Sequence, residues 1–193
     1  MAKKKTKKKV NKWKDKNWYT IEAPETFERK EIGDTPATDK EELIGRTVET
    51  SLRDLTGKRS HNNIRVKFKV KEVEGGKGKT EIESFNLTRG YIRKNIRKGR
   101  SVINTIQDIE INGNKLHTTT YAFTVGKLHS SKEKKIRKAI NEELQKQGKE
   151  NDFESLIQKM IFGKTATDLF RKAKKIAPIN RIEITKCEIE RGK

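Results

Sequence analysis

Phe162-Gly163-Lys164-Thr165 carries the residue types that close a phosphate-binding loop: a lysine for phosphate oxygens and a hydroxyl for Mg²⁺. That loop needs a first glycine at position 158, where Gln158 stands, and a strand leading into it. The residues before it have helical spacing instead, so no cradle of backbone N–H groups forms. Gly163 then reads as a helix stop and Thr165 as the next cap. His61, His117 and His129 lie far apart, with no cysteines or spaced carboxylates to complete a metal site. Cys187 has no histidine beside it in sequence to activate a thiolate and reads as a small core residue. The expectation is a chain with no catalytic residues, no metal ion and no cofactor.

The chemistry that remains is that of charge. Side chains two apart on a strand share a face, so Arg65, Lys67, Lys69 and Lys71 form a basic ladder. Arg89, Arg93, Lys94, Arg97, Lys98 and Arg100 avoid the apolar stripe of a helix placed at 88–98. Lys132, Lys134, Lys135, Arg137 and Lys138 do the same on the next helix, and Arg171, Lys172, Lys174 and Lys175 crowd the last one. The first residues add Lys3, Lys4, Lys5, Lys7, Lys8, Lys9, Lys12 and Lys14, with Trp13 and Trp18 nearby. Any one of these faces alone is more often simply solvated. Together they give 47 basic against 27 acidic residues and a net charge of +20, which repels itself unless an anion covers it. The charge is uneven: residues 1–21 carry +8, residues 22–49 carry −5 and the remainder carries +17.

A polyanion is therefore the expected partner. Zinc fingers, heptad zippers and an evident recognition helix are lacking, which argues against sequence-specific reading of duplex DNA. Structured RNA, held by shape and backbone, fits better. A free nucleic-acid-coating protein and a lysine arm lying on a membrane surface are the competing readings. No stretch approaches the roughly 20 apolar residues of a membrane span, and Ala2 stands where a myristoyl site needs glycine. The single cysteine fits a reducing compartment, so the chain reads as cytosolic.

The positioning elements follow from apolar spacing. Only 31% of the 193 residues are hydrophobic and 38% are charged, so the core must be thin. Residues 1–17 read as a disordered basic arm and 18–193 as one α+β domain. A loop begins at Ala23-Pro24, and a capped turn precedes Gly45. A strand then sets Val48, Thr50 and Leu52 on one face. Residues 64–73 alternate strictly, with Val66, Phe68 and Val70 inward; a glycine turn at 75–78 leads to a returning strand over 79–87. Thr88 caps the helix to 98, with Tyr91, Ile92, Asn95 and Ile96 inward and Gly99 at its end. Asn112-Gly113 joins two strands as a hairpin. Three helices are predicted at about 131–147, 152–162 and 166–176; the first ends before Gly148 and the third opens on a Thr165-x-x-Asp168 capping box. Pro178 follows, then a last strand whose apolar parity shifts between Ile184 and Cys187, the mark of a bulge. The order predicts a small mixed or antiparallel β-barrel with flanking helices.

Leu43, Gly45, Arg46, Glu49, Ser51, Leu52, Asp54 and Leu55 closely resemble the signature of the archaeal and eukaryotic small-subunit ribosomal protein family called S-three-A, also the e-type S-one family. Thr47 departs from the aliphatic β-branched residue usual there, keeping the branching. The resemblance extends to the lysine-rich start, to Trp18, Tyr19, Ala23, Pro24 and Phe27, to Lys67–Lys69, to Asn86–Arg89 and to Lys135-Ile136-Arg137-Lys138. It covers roughly residues 10–190, and the short C-terminus looks like the archaeal form. It implies a structural ribosomal protein, a β-barrel with flanking helices, bound to small-subunit rRNA. Its place would be the platform by the mRNA exit and the rRNA 3′ end, beside other small-subunit proteins.

Overall fold

The computed structural model describes residues 16–111 and 113–190. Eight strands and five α-helices are present among them, and the chain divides into two compact units. One unit is formed by the described residues up to Thr47 together with Lys69–Glu81; the other takes Val48–Phe68 and everything from Ile82 onward.

In the first unit, β1 (Asn17–Glu22) and β2 (Glu31–Ala37) pair antiparallel from Asn17↔Ala37 inward, with a bulge at Ile21/Glu22. Neither strand is foreseen by periodicity. A 3-10 turn at Glu25–Phe27 and two left-handed residues, Glu28 and Arg29, join them. β1 also runs parallel to the start of β5 (Lys77–Leu87), with Ile21 opposite Gly78. The Arg46 guanidinium ties the chain after Gly45 to β2, donating at 2.9 Å to both Thr35 Oγ1 and the Pro36 carbonyl. Tyr19, Ile21, Phe27, Ala37, Leu43 and Val70 are buried in this unit.

β3 (Thr47–Ser51) pairs with β4 (Ile64–Glu74), and β4 pairs with β5. Val66, Phe68 and Val70 are buried as the alternation predicts. Gly75 and Gly76, at φ 54° and 87°, supply the two left-handed residues that a tight hairpin of right-twisted strands requires. Leu52 is buried, but it opens the short helix α1 (Leu52–Thr56) rather than closing a strand face. Ser51 caps that helix by accepting from the Arg53 N–H at 3.2 Å, so the chain turns where the alternation would have carried it on.

In the second unit, β6 (Val102–Ile111) and β7 (Asn114–Thr124) form the expected hairpin; Ile111 pairs with Asn114 and Gly113 has φ 78°. β8 (Ile179–Glu190) lies between β7 and β5. Thr119 pairs with Lys186 and Thr120 with Ile184, which leaves Thr185 as the extra residue of a bulge, where the parity shift placed it. The strand order is β2-β1-β5-β8-β7-β6, and β6 does not return to β2. The sheet is therefore open and mostly antiparallel, not the closed barrel expected, since closure would require its two edges to hydrogen-bond.

The helix boundaries also move. α2 covers Arg89–Asn95 and ends early: Ile96 is extended and 48% exposed, not inward. α3 (Ser130–Glu150) runs through Gly148, which is buried against Ile109 and Ile111 instead of stopping the helix. α4 (Phe153–Ile161) buries Leu156, Ile157, Met160 and Ile161. Gly163, at φ 76°, both ends that segment and serves as N-cap of α5 (Lys164–Lys174). Thr165 lies inside α5, 1% exposed and without a capping hydrogen bond, so the expected capping box does not form. α3 packs on β6 and α5 on β8.

Candidate nucleic-acid interface

No three His, Cys, Asp or Glu side chains converge among the described residues. Lys164 follows a helix cap, and no glycine-rich anion loop precedes it. His61 Nδ1 lies 2.9 Å from Thr56 Oγ1, and His129 sits at the start of α3. His117 Nδ1 lies 2.6 Å from Asp108 Oδ1 on the adjacent strand. Hydrogen bonds from Lys115 and then His117 hold the Asp108 carboxyl below its ordinary range. Burial pushes the Cys187 thiol up to about 12, so no thiolate nucleophile forms near neutral pH.

The cations fall into two groups. Some are matched by carboxylates on neighbouring strands, on the same helix or on an adjacent helix. Arg65 lies 3.7 Å from Glu49 and Lys67 lies 3.0 Å from Glu83, so half of the β4 ladder is neutralised. Lys138 lies 3.8 Å from Glu142, Arg171 lies 3.4 Å from Asp168, and Lys172 pairs with Glu143. Lys174 sits 5.7 Å from the Phe170 ring centroid. These side chains have less to gain from an added anion.

The second group has no carboxylate partner among the described residues. Of the cations singled out in the sequence, it comprises Lys69 and Lys71 on β4; Arg89, Arg93 and Lys94 on α2; Arg97, Lys98 and Arg100 just after it; Lys132, Lys134 and Lys135 on the first turns of α3; and Lys175 at the end of α5. Arg100 is half-buried and the others are exposed. Arg137, half-buried, donates to the Asn104 carbonyl at 3.3 Å, which keeps its guanidinium beside β6. Lys3, Lys4, Lys5, Lys7, Lys8, Lys9, Lys12 and Lys14 lie outside the described residues.

α2 is held firmly despite its short length. The Tyr91 hydroxyl donates to Glu183 Oε1 at 3.0 Å and accepts from the Arg181 guanidinium, whose centre lies 5.9 Å from the Tyr91 ring. Burial raises the Glu183 carboxyl above its ordinary value, while Tyr91 and Arg181 pull it back down. Asn95 Nδ2 donates to the Tyr91 carbonyl at 2.9 Å. Beyond the helix, the Arg97 carbonyl accepts from the Arg100 N–H at 3.3 Å, and Gly99, at φ 80°, supplies the left-handed corner of that turn. The result is a recess of 270 Å³ lined by Lys94, Asn95, Arg97, Arg100 and Asn180. Charge patterning picks out its three cations and passes over its two amides.

The fold and surface define a class: a strongly basic α+β protein with cation-rich surfaces, in which no metal-ligating cluster forms among the described residues. The family model for ribosomal S3Ae proteins matches residues 4–192, and the chain belongs to the ribosomal S3Ae family. It is 39% identical over 196 residues to the protein named small ribosomal subunit protein eS1 of Methanobrevibacter smithii, covering 98% of this chain and 99% of that one. The protein of the same name from Methanothermobacter thermautotrophicus is 35% identical over 190 residues, with 98% and 97% covered. That of Saccharolobus islandicus is 37% identical over 180 residues, with 93% and 86% covered. The resemblance seen in the sequence signature is thus borne out, in its archaeal form.

Proposed function

We propose that this protein is a structural constituent of the small ribosomal subunit in the cytoplasm, acting in translation by binding small-subunit rRNA. The observation that carries this is family membership across residues 4–192. The cation surfaces left without carboxylates on α2, the turn after it and the start of α3 support an RNA partner, because lysine and arginine gain by displacing counterions from phosphates. The lysines from Lys3 to Lys14 add the charge density needed to enter folded RNA, and the segment 18–193 acts as the folded body. The family resemblance favours the platform beside the mRNA exit and the rRNA 3′ end, with neighbouring small-subunit proteins as further partners.

Sedimentation of lysate from cells that make a tagged copy tests the reading. The tagged chain travels with small subunits and stays there through a moderate salt wash. Recovery of the chain at the top of the gradient, or with DNA, would contradict it.

A further inference from the structure

Two unrelated features of the second unit meet at one recess. The first is charge: Lys94, Arg97 and Arg100 line it without an ion pair to any described carboxylate, although Arg181, one residue beyond Asn180, is matched to Glu183 at 3.5 Å. The second is backbone. Phe123 pairs with Arg181 and Thr124 with Ile179, so Asn180 is left over as an extra residue on β8. A bulge of this kind can re-aim one side chain, and bulges are over-represented at sheet edges and next to active sites. Here it belongs to a residue lining the recess, and no described hydrogen bond engages the Asn180 amide. Asn95, the other amide, uses its N–H₂ on the Tyr91 carbonyl and keeps its oxygen free to accept. The Tyr91–Glu183–Arg181 network fixes α2 to β8, which together with the turn after α2 supply the walls.

A recess that only concentrated positive charge would need no bulge and no amides. Three cations, one amide with both donor and acceptor, and one amide oxygen match a group that is anionic at one end and hydrogen-bonding at the other. A ribonucleotide of an unpaired RNA strand has this chemistry: a phosphate for Arg97, Arg100 and Lys94, and a base edge or 2′-hydroxyl for Asn180 and Asn95. At 270 Å³ the volume lies just under the range of small-ligand pockets, about 300 Å³ upward, and suits a single nucleotide rather than a helix. The geometry points to a seat for one unpaired nucleotide of RNA. This rests on the rRNA-binding reading and deepens it, because it adds a polar readout to the electrostatic one.

The test titrates the full-length protein with the pentanucleotides r(A)5 and r(U)5 over a series of salt concentrations. Wild type is compared with Asn180→Ala and Arg97→Ala, each checked for an unchanged melting temperature. Asn180→Ala removes no charge, so it should weaken binding about tenfold while the slope of log affinity against log salt stays the same. Arg97→Ala should weaken binding and make the slope shallower by about 0.7. Wild-type affinity in Asn180→Ala, with loss in Arg97→Ala, would overturn the proposal and leave a diffuse positive field. Failure of wild type to bind either pentanucleotide, while it still binds small-subunit rRNA, would overturn the seat without touching the function proposed above.

Discussion

Tyr91 shows what single side chains contribute beyond bulk. Its hydroxyl serves Glu183 and Arg181 at once, and burial has already raised the Glu183 carboxyl above its ordinary value of 4.5. A carboxyl raised in the folded state contributes stability that is fully present below its unfolded pKa and lost as pH rises through the folded value. The Tyr91 hydrogen bond opposes that loss by favouring the ionised form. Tyr91→Phe should therefore cost about 1.5–3 kcal/mol on the alkaline side of the Glu183 titration, where the hydrogen bond is to a charged group, and less at pH 4, below that carboxyl's ordinary value. Denaturant melts at the two pH values check this; an equal cost at both would mean that the hydroxyl does not govern Glu183. The same scale explains what sequence could not deliver. Arg65 and Lys67 look like Lys69 and Lys71 in the ladder, and only strand adjacency brings Glu49 and Glu83 beside the first two.

Elements were legible where one face is buried and the other solvated. β4 alternates because Val66, Phe68 and Val70 are buried while the residues between them are not, and the bulge at Thr185 showed as a lost beat in that alternation. β2 was illegible for a physical reason. Gly33, Asp34 and Pro36 are poor strand formers, tolerated because the strand lies at the end of the sheet order and pairs only with β1. Gly148 departs from its expected place at a helix end because it admits β6: an added Cβ would fall 2.5 Å from Ile109 Cγ2. Gly148→Ala should then destabilise by about 1–3 kcal/mol through overpacking, outweighing the roughly 1 kcal/mol that alanine gains in a helix. Gly90 in α2 has nothing within 4 Å of the same position, so Gly90→Ala should stabilise by up to about 1 kcal/mol. Thermal melts of the two variants shifting in the same direction would contradict this account of close approach.

At the scale of the whole molecule, the +20 charge is organised rather than spread. The stretch 22–49 is acidic, while α2, the turn after it and the start of α3 carry a run of cations without carboxylate partners, and Lys69 and Lys71 on β4 add two more. The sequence disclosed the sign and size of this charge, the family and the helices that carry it. It did not disclose which cations are neutralised or the recess with Asn180, because both depend on neighbours distant along the chain. Under the proposed rRNA-binding role, the cations without carboxylate partners meet phosphates and the acidic stretch does not. Crosslinking of assembled small subunits, with the crosslinked peptides and nucleotides identified, tests that claim most directly. The account predicts small-subunit rRNA crosslinks at residues 89–100, 132–135 and the lysines from Lys3 to Lys14, and few at residues 22–49. Crosslinks concentrated on the acidic stretch, with none on the α2 turn or the start of α3, would contradict it.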